Sequence, residues 1–199
     1  MNNITSVCVY CASSSRISPI YKEAAERVGA LLAVNGIRLI NGAGSMGLMA
    51  IASNAALAAG GQVTGVIPRF MVDRGWHHQG LTELRIVADM HERKRLMAGL
   101  SDACIALPGG CGTLEELLEV ITWKQLGLYV GPIIILNVGG YYDPLLRMLS
   151  VAVNEGFMRP LHSALWRVAL TPDEALTLLK DTPPWDPTLS KFAAIEPER

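Results

Sequence analysis

Residues 102–127 read DACIALPGGCGTLEELLEVITWKQLG, and this stretch decides the fold class. An apolar run typical of a buried strand ends in a glycine-rich turn, and a helical pattern of apolar residues follows it. The rest of the chain repeats this alternation of strand and helix. The predicted strands are residues 6–13, 37–42, 62–68, 84–90, 102–110, 132–140 and 166–171, and the predicted helices are residues 19–36, 47–61, 91–101, 112–127, 143–156 and 172–180.

The alternation predicts an α/β fold, a Rossmann-like doubly wound parallel sheet with helices on both faces. The run IIIL at 133–136 is apolar at consecutive positions, as expected for a strand that is covered on both sides. We expect a single domain over residues 1–180 and a C-terminal tail over 181–199. Ligands of such folds bind at the carboxyl ends of the strands. Residues 69–83 have no clear period and are long for a connection, which favours a functional loop.

The composition excludes several classes of function. The 199 residues are 50% hydrophobic and 18% charged, and their net charge of −1 provides no attraction for nucleic acid. Apolar runs are interrupted well before the ~20 residues of a membrane span, so no membrane partner is expected. The apolar excess instead favours a subunit interface. Residues 1–15 lack the pattern of a secretory signal, and we expect a cytoplasmic protein.

The four cysteines do not predict a disulfide scaffold or a metal site. Cys8 and Cys11 form a C-x-x-C pattern, but they lie within the first predicted strand. Alternation along a strand directs their side chains to opposite faces, and no helix N-terminus is present to stabilise a thiolate. We expect them to be small buried apolar residues.

Two glycine loops follow predicted strands, and the first is NGAGSMG at 41–47. Gly42, Gly44 and Gly47 have the spacing of a dinucleotide-binding fingerprint. That fingerprint requires an acidic residue at the end of the next strand, where this chain has Pro68 and Arg69, so NAD is not expected. Two interpretations remain open: helix N-terminal amides that bind a phosphate, or a tight turn.

The second loop is PGGCG at 108–112. Its glycines allow a ligand to approach the backbone closely, and Thr113 is expected to begin a helix whose amides favour an anion. No Gly-Lys-Ser/Thr follows, so a monophosphate suits the loop better than a nucleoside triphosphate.

Glu116 permits a structural and a chemical interpretation. Thr113 and Glu116 have the spacing of a capping box, which would account for the glutamate by helix stability alone. A carboxylate beside an anion site would also stabilise an oxocarbenium-like sugar, as cleavage of an N-glycosidic bond requires. The basic cluster HERKR at 91–95 is likewise either a solvated helix face or a phosphate-binding group.

The paired motifs resemble those of one enzyme family. PGGCGTLEE at 108–116 resembles the PGGxGTxxE signature of the Lonely guy (LOG) family, and MHERK at 90–94 matches its MHxRK motif. Further segments are similar in order and spacing, and the resemblance covers residues 5–180. It implies a homodimeric phosphoribohydrolase that releases a free base and ribose 5-phosphate from cytokinin riboside 5′-monophosphates or from AMP. It implies no cofactor and no metal.

The resemblance also implies a set of site residues. Arg93 and Glu116 would be the catalytic pair. The substrate site would further include Gly44, Ser45, Gly47, Met90, Lys94, Gly109, Gly110, Cys111, Gly112, Thr113, Leu114, Glu115 and Thr122. The chain departs from the family pattern at Cys111, where many members carry tyrosine, and at Gly75, where many carry an acidic residue. The choice between AMP and a prenylated adenine ribotide therefore stays open.

Two other functions are weighed against this one. Family members have been labelled lysine decarboxylases, but pyridoxal phosphate requires a Schiff-base lysine, and no lysine here lies in a recognisable cofactor context. The adjacent His77 and His78 are poorly spaced for a metal. The main rival is a nucleotide or molybdopterin carrier of the same fold. A carrier needs the glycine loops but has no use for a carboxylate beside the sugar.

Overall fold

Alternate residues of the central strands face two separate cores. In the computed structural model, which describes residues 3–189, Val7 and Val9 belong to one apolar cluster, whereas Cys8 and Tyr10 belong to the other. Cys11 lies in the first cluster, so the prediction that Cys8 and Cys11 are buried on opposite faces is confirmed.

The strands form one seven-stranded sheet in which every neighbouring pair is parallel. The strands are β1 (Ser6–Tyr10), β2 (Arg38–Asn41), β3 (Val63–Pro68), β4 (Glu83–Val87), β5 (Ala103–Ala106), β6 (Ile133–Leu136) and β7 (Arg167–Ala169). Their spatial order is β4-β3-β2-β1-β5-β6-β7. The predicted doubly wound fold is confirmed, and the direction of winding reverses between β1 and β5.

Helices cover both faces of the sheet. They are α1 (Pro19–Val34), α2 (Gly47–Ala58), α3 (Arg69–Asp73), α4 (Met90–Gly99), α5 (Cys111–Gln125), α6 (Asp143–Asn154) and α7 (Pro172–Asp181), with short 3₁₀ turns at Val138–Gly140, Pro160–Ala164 and Pro187–Leu189. Residues of α1, α2 and α7 pack in the first core, and residues of α4 and α5 pack in the second. No helix within residues 3–189 is long and apolar enough to cross a bilayer.

Two local predictions need correction. α5 begins at Cys111 after Gly110, so Thr113 lies inside the helix and forms no capping box with Glu116. The segment 69–83 is not entirely a loop, because it begins with the short helix α3.

The N-terminus of α4 is capped by acidic residues. The Asp89 carboxylate accepts a hydrogen bond from the Glu92 amide at 2.8 Å, and the Glu92 carboxylate accepts one from the Ala88 amide at 2.8 Å. Negative charge at a helix N-terminus is favourable, so these acids offset the unfavourable position of the basic residues that follow.

The predicted tail lies partly outside the described residues, which end at Leu189. The part that is described packs on the domain. Trp185 donates a backbone hydrogen bond to the Val130 carbonyl at 2.7 Å, and its ring lies 5.9 Å from the ammonium group of Lys124.

Candidate active site

A cavity of about 400 Å³ opens where the winding of the sheet reverses. It lies between the segments that follow β1 and β5, which is where ligands of doubly wound folds bind. It is lined by Val9, Cys11, Ala12, Ser13, Ser14, Gly42, Met49, Met71, Arg93, Gly110, Cys111, Gly112, Thr113 and Glu116. A larger cavity of about 600 Å³ lies at the opposite end of the sheet, among residues such as Thr5, Gly36 and Gln62.

Arg93 is fixed by backbone carbonyls of two neighbouring chain segments, one within β3 and one just after β2. Its Nε donates to the Val66 carbonyl of β3 at 3.1 Å, and Nη2 donates to the Gly42 carbonyl just beyond β2 at 3.4 Å. Nη1 donates to the Glu116 carboxylate at 3.0 Å. The side chain is 8% exposed, so the basic cluster is not a solvated face at this residue.

Gly42 makes the position of Arg93 possible. A Cβ atom added to Gly42 would overlap Nη2 of Arg93. The guanidinium is buried and bonded on several sides, so it has little freedom to move away. The first glycine of the fingerprint-like loop therefore serves to admit an arginine.

Glu116 lies in the second turn of α5, and its side chain is only 10% exposed. Burial raises the pKa of this carboxyl above its ordinary value, and the charge of Arg93 opposes the rise without cancelling it. A carboxylate with a raised pKa beside a guanidinium has the properties of a group that accepts a proton or stabilises positive charge on a substrate during a reaction.

Lys94 points to a different side of α4. Its Nζ donates to the carboxylates of Glu115 at 2.8 Å and Glu119 at 3.2 Å. Burial lowers the pKa of Lys94, but the two carboxylates outweigh burial and raise it overall, and the pKa of Glu115 falls. The lysine therefore joins α4 to α5 and is not among the residues that line the cavity.

Tyr141 holds the second glycine loop from behind, whereas the neighbouring Tyr142 bonds to the chain segment just before the loop. The Tyr141 hydroxyl donates to the Gly109 carbonyl at 2.6 Å, and the Tyr142 hydroxyl donates to the Leu107 carbonyl at 2.7 Å. Gly109 also packs against the side chain of Thr113, where a Cβ atom would overlap the threonine hydroxyl. The loop is thus fixed at the mouth of the cavity.

The first glycine loop is bonded within the protein. The Ser45 amide donates to the Trp76 carbonyl at 3.0 Å, and the Leu48 amide donates to the Ala12 carbonyl at 2.9 Å. Gly47 has a φ of +64°, and a side chain there would overlap the backbone of Ser13. These contacts favour the tight-turn interpretation of this loop over a phosphate site.

The structure brings six of the predicted site residues together around the cavity. They are Arg93, Gly110, Cys111, Gly112, Thr113 and Glu116. The other predicted residues do not line it: Gly44, Ser45, Gly47, Met90, Lys94, Gly109, Leu114, Glu115 and Thr122. Thr122 is exposed, and its hydroxyl donates to the Leu118 carbonyl at 2.8 Å.

Sequence reasoning missed the other side of the cavity. Ser13 and Ser14 are exposed in the segment that follows β1, and Met71 of α3 lines the same cavity. The serine run was visible at the end of a predicted strand, but only the strand order shows that β1 and β5 are neighbours. The placement of Met71 depends on α3, which the sequence pattern did not indicate.

Lys124 is the other buried lysine of the described region. Burial lowers the pKa of Lys124 to about 8, and its Nζ donates to the Gly131 carbonyl at 2.8 Å. Gly131 precedes β6, at the end of the sheet opposite the cavity. This lysine is therefore not placed to form a Schiff base with a ligand bound in the cavity.

Comparisons with known proteins agree with these motifs. A family model described as possible lysine decarboxylase matches residues 49–179. The probable cytokinin riboside 5′-monophosphate phosphoribohydrolase LOGL2 of Oryza sativa subsp. japonica is 47% identical over 178 residues, which are 89% of this chain and 73% of that protein. The cytokinin riboside 5′-monophosphate phosphoribohydrolase LOG7 of Arabidopsis thaliana is 45% identical over 188 residues, 94% of this chain and 85% of that protein.

The fold is also found among solved structures. The molybdenum cofactor carrier protein of Chlamydomonas reinhardtii aligns with a TM-score of 0.70 over 89% of this chain and 96% of that chain, at 20% identity. At this level of identity the likeness shows a shared fold and nothing about the ligand.

Proposed function

This chain belongs to the LOG family, and we propose that it hydrolyses the N-glycosidic bond of cytokinin riboside 5′-monophosphates to give a free base and ribose 5-phosphate. The observation that carries the proposal is the Arg93–Glu116 pair, which lines one cavity together with the PGGCG loop. The relatives at 45–47% identity bear the name of this activity.

The reaction breaks the bond between C1′ of the ribose and a nitrogen of the base. The departing base keeps the electron pair, positive charge develops on the sugar, and the oxygen of a water molecule adds to C1′. The Glu116 carboxylate stabilises that charge and receives the proton that the attacking water loses. The departed base takes up a proton from the solvent, and Glu116 returns its own proton there, which restores the carboxylate. Arg93 orients Glu116 and supplies positive charge beside the departing base or the phosphate.

The glycine loop binds the 5′-phosphate. Gly110, Cys111 and Gly112 stand at the N-terminus of α5, where backbone amides and the helix dipole favour an anion. Glu116 lies on the same helix a little over one turn further on, so one element positions both the phosphate site and the carboxylate.

The carrier alternative is less well supported. A carrier would gain nothing from a buried carboxylate with a raised pKa in its binding site, because that group costs free energy and repels an anionic ligand. The carrier proteins of similar fold share only about a fifth of their residues with this chain.

The same proposal includes finer points. AMP is a second substrate, since it carries the same ribose 5′-phosphate and N-glycosidic bond on which the PGGCG loop, Arg93 and Glu116 act. The chain forms a homodimer, which is supported by exposed apolar residues on α5 and α6 and in the segments that follow them: Leu118, Leu126, Leu128, Met148, Val151 and Phe157. Light scattering should give twice the mass of the chain. The cytoplasmic location and the lack of nucleic-acid and membrane partners stay predictions.

One incubation tests the central claim. The purified protein is mixed with isopentenyladenine riboside 5′-monophosphate or with AMP, and free base and ribose 5-phosphate are measured by chromatography. Release of both products from either nucleotide, together with its loss in Glu116→Gln, supports the proposal. Binding of the nucleotides without product would instead identify a carrier.

A further inference from the structure

The carbonyl of Gly109 has a partner outside its own loop. The Tyr141 hydroxyl, in the segment after β6, donates to that carbonyl at 2.6 Å. Gly109 is buried and Tyr141 is 40% exposed, so the tyrosine approaches the loop from the surface. The bond joins the element after β6 to the proposed phosphate loop after β5.

This bond fixes the direction of an amide. The peptide unit between Gly109 and Gly110 is planar, and none of the described peptide bonds is cis. In a trans peptide the carbonyl and the N–H point in opposite directions. The Gly110 N–H therefore points away from Tyr141.

The strand order shows what lies on that opposite side. β5 is flanked by β6 on one side and by β1 on the other. Tyr141 comes from the segment after β6, where its ring meets that of Tyr21 in α1, and it does not line the cavity. Gly110 does line the cavity, together with Ser13 and Ser14 of the segment after β1. We therefore expect the Gly110 N–H, which points away from Tyr141, to face the cavity.

A peptide between two glycines needs such an anchor. Neither Gly109 nor Gly110 has a Cβ, so rotation of the peptide plane meets little steric resistance. With the plane rotated by half a turn, the carbonyl would face the cavity and repel a phosphate. The bond from Tyr141 favours the plane that presents the donor.

We propose that Tyr141 is a positioning residue that holds the Gly109–Gly110 peptide with its N–H toward the 5′-phosphate of the substrate. The proposal rests on the proposed function, because it assigns a role within the same site. Tyr141 acts through the peptide and is not assigned a contact with the substrate.

The chain offers a matched control in the next residue. The Tyr142 hydroxyl donates to the Leu107 carbonyl, just before the loop, at the similar distance of 2.7 Å. The residue after Leu107 is Pro108, which has no N–H, so this bond fixes no donor. Tyr142 is 1% exposed and belongs to the second core.

The test compares Tyr141→Phe with Tyr142→Phe. For each variant KM and kcat are measured with a nucleoside 5′-monophosphate, together with inhibition constants for ribose 5-phosphate and for the free base. Tyr141→Phe should raise KM and the inhibition constant of ribose 5-phosphate about tenfold, because the Gly110 N–H is no longer held in place to donate a hydrogen bond to the charged phosphate. It should leave kcat within about twofold. The constant for the free base should not change.

Tyr142→Phe should lower the thermal midpoint and leave KM and both inhibition constants unchanged. The proposal is overturned if Tyr141→Phe binds ribose 5-phosphate as tightly as the parent protein does. It is also overturned if the substitution weakens binding of the free base as much as it weakens binding of ribose 5-phosphate. If the parent protein hydrolyses no nucleotide, the proposed function fails separately. Calorimetric binding of ribose 5-phosphate to the parent and to Tyr141→Phe then decides the role of Tyr141 by itself.

Discussion

Two groups of ion pairs join α4 to α5, and they are built from adjacent residues of each helix. In the inner pair the side chains of Arg93 and Glu116 are 8% and 10% exposed. In the outer group Lys94 is 6% exposed, whereas its partners Glu115 and Glu119 are 61% and 26% exposed. Consecutive residues of a helix point about 100° apart, so neighbours in sequence reach different surroundings.

The two groups differ in what their charges experience. Burial raises the pKa of Glu116, while the hydrogen bond from Lys94 lowers the pKa of Glu115. The raised pKa makes it easier for the inner carboxylate, Glu116, to take up a proton, whereas the outer one, Glu115, is stabilised in its charged form. The comparison therefore assigns the chemistry to the inner pair and the fixing of the helices to the outer group.

The strongest test of this assignment removes the charge of each glutamate in turn and compares the two variants. Glu116→Gln should lower kcat by about 100- to 1,000-fold, because it removes the charge that stabilises the transition state. Glu115→Gln should keep kcat within about threefold, since the exposed partner of an ion pair contributes little. Steady-state product release measures both, and equal losses in the two variants would contradict the comparison.

A second test displaces Arg93 without changing it. Gly42→Ala places a methyl group where Nη2 lies, so the guanidinium must move away from Glu116. We expect kcat to fall about 10- to 100-fold, as for a misplaced catalytic group. Gly99→Ala is the control. Gly99 is the last residue of α4, the helix that carries Arg93, and a Cβ atom there meets no atom within 4 Å.

Gly99→Ala should remain fully active. Full activity of Gly42→Ala as well, with circular dichroism unchanged, would show that the position of Arg93 does not matter for turnover.

The outer group should affect stability more than chemistry. Lys94→Met removes the cation that both Glu115 and Glu119 bind, while the buried part of the side chain stays apolar. Urea unfolding should show a loss of about 1–2 kcal/mol, and kcat should fall by less than about tenfold. A loss of activity as large as that of Glu116→Gln, at unchanged stability, would place Lys94 in the chemistry.

Much of this arrangement could be predicted from the sequence, for identifiable reasons. Alternating strand and helix patterns predicted the sheet, because each pattern depends only on local spacing. The resemblance of MHERK and PGGCGTLEE to one family pointed to Arg93 and Glu116, which the structure places 3.0 Å apart. Cys8 and Cys11 were assigned correctly because strand alternation alone decides their faces.

The rest depends on contacts between distant segments. A Thr-x-x-Glu spacing is the same at a helix start and inside a helix, and only the structure shows that α5 already begins at Cys111. The partners of Lys94 lie more than twenty residues away in sequence, and the bond from Tyr141 to Gly109 spans 32. Local sequence patterns do not predict these contacts, because each one joins segments that are far apart in the chain.

The smallest predicted effect connects the two groups through their charges. Glu116 is active as a carboxylate, so kcat should fall as the pH drops through its raised pKa. The charge of Glu115 raises the pKa of Glu116, and the charge of Lys94 lowers it. Glu115→Gln should therefore move the acid limb of the kcat profile to lower pH, and Lys94→Met should move it to higher pH.

Measured profiles of kcat against pH for the two variants decide the point by the sign of each displacement. Opposite displacements mean that the charges of the outer group act on Glu116 through space and that Glu116 itself takes part in the reaction. Displacements in the same direction, or a limb that disappears in Glu115→Gln, would mean that the titrating group is not Glu116. The separation of roles between the inner pair and the outer group would then have to be abandoned.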